Sequence, residues 1–575
     1  MDKRFWLRAV SCITGCWILY LFFSFPSWRE PIMGDEVYAV LWAKALNDKS
    51  IVEYFINNGN AFFANWHPPT YVYLIGVLGN FTSFNEMAMR SIGIISFLIS
   101  LALIYAITLE LFRKDERKSS AAYLACIIYA LNPLAVRGSL LIDIEVILNP
   151  AVLAFMLALI FYRHDEYSPK KFFLCAALFA VTLSIKYSTP LILMASMFTY
   201  QLLRREWKKM LYTAGIVAAG LFLAMIVRFV YCRMNNLDFF GIYRYIAQAP
   251  GYIPLVRYGG KEAWLVLARN ICTPIIWCSP PFMIMAFIGL WKILKARADD
   301  NSLMPAPQFA FYGLVVSVVY IFFGGVTHSF PKYHYASVPV LAILAASIFI
   351  KNVRIDRRLL AQMAILFFIL LLYNICFVKD LLYPINYALK EAMISGNSSI
   401  VSAIIRKEAV RILLLLLTIP AVFLFYARKN VREAFFIALL VTLFASNVSL
   451  LSIQGAADYN TVYCYGAKGV REAADFVLSN TSLRDTIFAP QEILLLSKRD
   501  LPSYAMTERN RDNKEDFLNI LKLGDIKCVI YGISGNMVEQ YKRIFQDSGV
   551  RAFLNKTYSC HEIGSYTVWL KRKEE

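Results

Sequence analysis

The sequence predicts a polytopic α-helical membrane protein with a soluble α/β domain at its carboxyl end. Three observations carry this. The 575 residues are 58% hydrophobic and only 17% charged. The apolar residues gather into runs long enough to cross a hydrocarbon core as helices. After residue 453 that pattern stops, and short stretches of helical and strand-like periodicity alternate. A disordered chain is excluded by the apolar content, and an ordinary soluble enzyme by the impossibility of covering so much apolar surface.

About thirteen apolar runs satisfy the spanning criterion. They lie near 5–25, 91–112, 119–136, 146–162, 172–186, 189–203, 210–231, 273–291, 309–328, 334–350, 359–378, 410–427 and 434–453. The first begins at Phe5 with no small-residue cleavage pattern after it, so it reads as a retained anchor. No internal repeat of the kind that builds many transporters is discernible.

The net charge of +19 is a matter of address, not of nucleic-acid binding. Segments 1–4, 113–118, 163–171, 204–209, 292–300, 351–358 and 428–433 hold 23 Lys and Arg in 48 residues, whereas 26–89 holds three in 64. Cytoplasmic loops collect such cations, and near the membrane they also meet lipid headgroups. The amino terminus is thus expected inside, and the region 454–575 outside. That region carries 17 basic and 16 acidic residues and is close to neutral. Most of the eleven Cys fall in apolar runs, where a thiol is a small hydrophobe. Cys464, Cys528 and Cys560 lie in the external tail, where an oxidising compartment would permit a disulfide between two of them.

The tail reads as a helix at 470–478, a strand at 486–488, helices near 491–497 and 513–523, a strand at 528–531, a helix at 537–547 and terminal strands through 566–570. This alternation suggests a partly parallel sheet. It carries no phosphate-loop signature.

The candidate chemistry sits in external segments. Asp35 and Glu36 follow the first helix within Gly34-Asp35-Glu36 and precede an amphipathic stretch to Leu46. Adjacent carboxylates suit general-base work, or the holding of a metal or a sugar hydroxyl; the plainer alternative is that they cap the next helix. Trp66-His67-Pro68-Pro69 sets an imidazole beside a rigid turn, able to meet a phosphate oxygen or simply to be solvated. Arg90 stands just before the second run, and Arg137, Asp143 and Glu145 fall in a short turn before the fourth. Lys186, and Lys332 with Tyr333, His334 and Tyr335, lie on the outer side against the charge trend. External cations at that depth fit a grip on a lipid-linked phosphate.

These residues resemble the GT-C glycosyltransferases of the protein mannosyltransferase and aminoarabinose transferase type. The likeness rests on Gly34-Asp35-Glu36, on His67-Pro68-Pro69 leading to Met89-Arg90, on Lys186-Tyr187, and on Pro331-Lys332-Tyr333 with Pro339. At the position before the double proline the aminoarabinose branch commonly has Lys; His67 follows the mannosyltransferase branch. The resemblance implies transfer of a sugar from a polyprenyl phosphate to a lipid, glycan or protein acceptor on the extracytoplasmic face, usually with inversion. It implies Asp35 as base, Glu36 and Asp143 as orienting carboxylates, and His67, Arg90, Lys186, Lys332, Tyr333 and Tyr335 around the donor. No cofactor is required by this chemistry, although Asp35, Glu36 and His67 suit a divalent ion. A bacterial inner membrane is the expected location. The competing class is a lipid or glycan transporter or flippase, which would need neither a tail domain nor a long acidic first loop.

Overall fold

The computed structural model of the protein describes residues 3–33, 35–47, 68–163, 168–241, 280–295, 302–323, 332–348, 469–498, 514–523, 525–532 and 544–572, with isolated positions at 267–278, 402, 440–444 and 459–466. The expected runs at 359–378, 410–427 and 434–453 lie almost wholly outside the described residues, as do His67 and Cys464. The chain divides into two compact units. One comprises 1–25, 65–71 and 90–452, and the other 26–64, 72–89 and 453–575.

The first unit is helical. Leu7–Arg29, Glu86–Leu111 and Trp207–Met234 are long and apolar enough to cross a membrane, and Glu145–Phe161 and Ala306–Phe322 are shorter apolar helices. Helices Pro169–Ile185, Ser188–Leu203 and Pro280–Lys295 coincide with further expected runs. Aromatic rings knit the interior: Tyr20 stacks on Phe97 at 3.8 Å and Phe97 on Tyr129 at 4.7 Å, and Tyr129 shares a 3.3 Å hydrogen bond with Tyr335. The Tyr335 ring lies hard against Gly138, where a side chain would strike it.

Three expectations are corrected here. The run 119–136 is not one span, for it breaks into Lys118–Ala130 and Pro133–Gly138. Pro133 lacks the amide a continuing helix needs, and Asn132 starts a new helix by accepting the Ala135 amide at 3.1 Å. Arg137 consequently lies in the last turn of the short helix and is fully buried, not in an external turn. The second spanning helix begins at Glu86, so Arg90 is in its second turn, fully buried, and donates to the Leu140 carbonyl.

The second unit holds the tail sheet together with described parts of the first loop. Strands β1 (Tyr459–Asn460) and β2 (Tyr465–Gly466) form a short antiparallel pair. Then follow β3 (Ile487–Phe488), β4 (Cys528–Gly532), β5 (Tyr558–Ile563) and β6 (Tyr566–Lys571), in the spatial order β3-β4-β6-β5. β3 runs parallel to β4 and the other pairings are antiparallel, which is the expected partly parallel sheet. Phe488, Phe517, Val529, Phe545, Val550, Leu554 and Trp569 fill its core, with Phe545 stacked on Trp569 at 5.5 Å.

Helix Ser548–Thr557 was not expected from the sequence. Its periodicity is carried by few apolar residues, and its start is set by Asp547, whose carboxylate accepts the amides of Gly549 at 2.8 Å and Val550 at 3.1 Å. Of the expected helix at 537–547, residues 537–543 lie outside the described residues. Gly469 takes φ +86° directly before helix Val470–Asn480 and packs against the Ile563 carbonyl, a conformation and a space that only glycine accepts without strain. Cys528 pairs with Leu570 and Cys560 with Trp569 across opposite sides of β6, so these two thiols do not form a disulfide.

Candidate active site

Asp143, Lys186 and the adjacent Lys332 and Tyr333 come from three distant stretches of the chain, and the first unit brings them together. Each is set by a break between helices. Helix Pro169–Ile185 ends where Lys186 turns extended at φ −156°, ψ 141°, and helix Ser188–Leu203 resumes almost at once with Pro190 in its first turn. A lysine in this sharp corner cannot follow either helix, and its stem is buried. Asp143 closes the connection ahead of helix Glu145–Phe161 and accepts the Ile144 amide at 2.6 Å. Lys332 opens a 3-10 turn, Lys332–Ser337, that leads into helix Val338–Ala346 with Pro339 near its start. The tight turn carries Tyr335 inward, where it is 1% exposed and its carbonyl accepts from Asn149 at 3.3 Å.

Two ion pairs result. Lys186 Nζ lies 2.5 Å from Glu145 Oε1, and Lys332 Nζ lies 2.9 Å from Asp143 Oδ2. The Tyr333 ring serves both cations, with Lys186 Nζ 4.5 Å and Lys332 Nζ 5.5 Å from its centroid. Ammonium groups at that range are drawn to the negative face of an aromatic ring. Tyr320 stacks on Tyr333 at 5.8 Å and is itself fixed by a 2.5 Å hydrogen bond between its hydroxyl and Thr189 Oγ1. Beside this, Arg228 donates to the Tyr187 hydroxyl at 3.3 Å, steadying the residue next to Lys186.

The arrangement is a charge-balanced patch of two cations and two carboxylates around one aromatic face, with one pair buried and the other partly exposed. Each lysine has its charge balanced in place by one carboxylate. They are suited to meeting an anion that exchanges with a carboxylate, and phosphate oxygens fit that role.

Of the remaining sequence candidates, Arg90 is engaged with the Leu140 carbonyl and forms part of the packing between helices. Tyr335 spends its hydroxyl on Tyr129. Asp35 begins helix Asp35–Asn47 in the second unit, in the place the sequence gave it, and Glu36 is fully buried in the first turn of that helix. Burial of Glu36 goes beyond a solvated helix cap. Among the described residues no group of three or more His, Cys, Asp or Glu stands together as a metal site.

Sequence reasoning noted Glu145 beside Asp143 but gave it no task, and it missed Tyr320 and Thr189 altogether. The signal for Glu145 was available: a carboxylate entering an apolar helix calls for a buried cation, and Lys186 is the cation out of place. Nothing in sequence marks Tyr320, one of 34 tyrosines, because its importance comes from the ring it stacks on.

Residues 66–247 match the family Dolichyl-phosphate-mannose-protein mannosyltransferase. The matched stretch contains His67, Arg90, Asp143, Glu145 and Lys186. The whole chain is similar in structure to ArnT from Cupriavidus metallidurans bound to undecaprenyl phosphate, with a TM-score of 0.62 at 14% identity over 99% of this chain and 98% of that one. The same protein in the apo state gives a TM-score of 0.57 at 13% identity over the same shares.

The chain thus shares the fold of ArnT along its whole length. The resemblance read from the sequence is therefore borne out in the architecture and in the matched segment. No curated protein sequence matches the chain. Neither comparison supports the transporter alternative.

Proposed function

We propose that this GT-C chain is an integral membrane glycosyltransferase that moves a sugar from a polyprenyl-phosphate donor to an acceptor hydroxyl or amine on the extracytoplasmic face, with inversion. The observation that carries the reading is the pair of lysines gathered over Tyr333 by Asp143 and Glu145. The matched mannosyltransferase stretch and the likeness to a protein bound to undecaprenyl phosphate support it. The acceptor is an envelope lipid, glycan or protein, and the location a bacterial inner membrane with the amino terminus inside and the tail domain outside.

In this reading the donor phosphodiester already has a good leaving group, so the protein supplies a base, a cationic grip and exclusion of water. Asp35 takes the proton of the acceptor nucleophile as that atom attacks the anomeric carbon. The bond from that carbon to the phosphate oxygen breaks, its electron pair leaves with the polyprenyl phosphate, and Lys332 and Lys186 stabilise the added negative charge. Attack from the side opposite the phosphate inverts the anomeric centre. Glu36 and Asp143 orient acceptor and donor, and His67 contributes to the surroundings of the donor. The step requires no cofactor. A divalent ion at Asp35, Glu36 and His67 is the variant of this mechanism that chelation separates: dialysis against EDTA leaves turnover intact where Asp35 acts alone and abolishes it where those three hold a cation.

The test is transfer by the full-length protein in proteoliposomes, supplied with labelled polyprenyl-phosphate sugars and envelope extracts, with products read by mass spectrometry. Covalent transfer that disappears in Asp35→Asn supports the reading. Movement of the intact donor across the bilayer with no covalent product would defeat it.

A further inference from the structure

Glu145 is the charged member of the cluster that the proposed chemistry leaves without a task. It is 4% exposed, holds Lys186 through Oε1 at 2.5 Å, and buries Oε2 with no hydrogen-bond partner among the described residues. The two ion pairs are not equivalent. The side chains of Lys186 and Glu145 are 8% and 4% exposed, whereas those of Lys332 and Asp143 are 16% and 17% exposed at the longer separation of 2.9 Å. A pair in contact with water can trade one partner for another. A dry pair that parts leaves a bare charge in a medium that solvates it poorly.

Resting on the glycosyltransferase reading, we infer that Glu145 is a positioning residue: it locks the Lys186 ammonium against the Tyr333 ring, so that an incoming phosphodiester displaces Asp143 from Lys332 and leaves the Glu145–Lys186 pair intact. The division follows from the geometry. Lys186 sits in the corner between two helices, and four groups fix its position: the Glu145 carboxylate, the Tyr333 face, Tyr320 behind that face, and Thr189 on Tyr320. Lys332 lies farther from the ring and in a wetter place. An anion arriving there meets one exchangeable cation and one fixed cation. The fixed cation sets where the phosphate stops, and therefore where the sugar attached to it lies.

The contrary view is that Glu145 merely competes with phosphate for Lys186. The two views differ in sign. If Glu145 competes, neutralising it frees a cation and tightens anion binding. If it positions, neutralising it lets Lys186 swing toward water, and binding weakens.

The experiment uses the full chain in lipid nanodiscs, titrated with undecaprenyl phosphate, the carrier without a sugar. Wild type, Glu145→Gln, Glu145→Asp and the exchanged pair Glu145→Lys with Lys186→Glu are compared. The expected result is binding about ten-fold weaker in Glu145→Gln, a donor KM raised by a similar factor with a smaller change in kcat, and partial recovery in the exchanged pair. Binding by Glu145→Gln as tight as wild type, or tighter, would overturn the positioning role. Where that variant does not assemble, Glu145→Asp decides on the same criterion, since its carboxylate is retained but one methylene short of the lysine. A wild-type protein that ignores undecaprenyl phosphate defeats the glycosyltransferase reading itself, and this inference with it.

Discussion

The lysine–carboxylate pairs of the membrane unit and those of the tail domain use the same atoms and do different things. In the first, Lys186 and Glu145 are nearly dry and 2.5 Å apart. In the second, Lys514 meets Asp547 at 2.7 Å with the lysine about half exposed, and Lys571 and Lys527 share Asp525 at 2.7 and 3.2 Å on the open surface. Distance barely separates the two classes; hydration does. A surface pair gains little because water already solvates both ions, while a dry pair must stay together because neither partner survives alone. A tail-domain pair trims a surface, whereas the buried pair fixes a geometry, and only the latter can hold a reacting group in place.

The largest expected effect tests that contrast directly. Lys186→Met strands the Glu145 carboxylate and should lower stability by about 3–5 kcal/mol, read as thermal unfolding in detergent. An unchanged melting temperature would show that water reaches the pair and erase the distinction. Next comes Asp35, the proposed base. Asp35→Asn should cut sugar transfer by about a hundred-fold or more while folding and membrane insertion are retained, since general-base assistance is of that order. Near-normal turnover removes Asp35 from the base role. Smaller again, Lys332→Ala should raise the donor KM by about ten-fold and leave the acceptor KM alone, as a charge-assisted phosphate contact warrants. Equal changes in both constants would contradict its contact with the donor.

The smallest effects belong to the surface. Lys514 beside Asp547, with the amides of Val550 and Gly549, holds that carboxyl below its ordinary value, and Lys571 and Lys527 do the same for Asp525. A carboxyl whose folded value is depressed adds stability above its unfolded value, near pH 4, and loses it as pH falls through the lower folded one. Lys514→Ala should therefore flatten the acid limb of tail-domain unfolding and change little at neutral pH. Raising salt to about 1 M should mimic it there and leave the Lys186–Glu145 pair untouched, because screening acts on solvated charges. A salt response of equal size at both places would undo the comparison.

Much of the molecule was legible in its sequence. Helices Glu145–Phe161, Pro169–Ile185, Ser188–Leu203 and Trp207–Met234 fall where apolar runs predict them, because a long apolar stretch leaves the backbone no other way to satisfy its amides in lipid. The strand at 528–532 and the helices at 470–480 and 514–523 were equally plain. Hydropathy failed where a polar residue or proline cut an apolar run, as at Asn132-Pro133, and where a cap, not periodicity, started a helix, as at Asp547. It also set Arg90 ahead of a helix and Arg137 in a turn, when both lie within helices and are buried.

By itself the sequence determined that the chain lives in a bilayer, and that Lys186 and Lys332 stand where cations are costly, because charge and hydropathy are local properties that each segment carries alone. Only the tertiary structure decided that Glu145 holds one lysine, Asp143 the other, and Tyr333 both. Those choices belong to residues up to 189 positions apart, and which of two nearby carboxylates a lysine meets depends on how helices pack and how much water they leave between them.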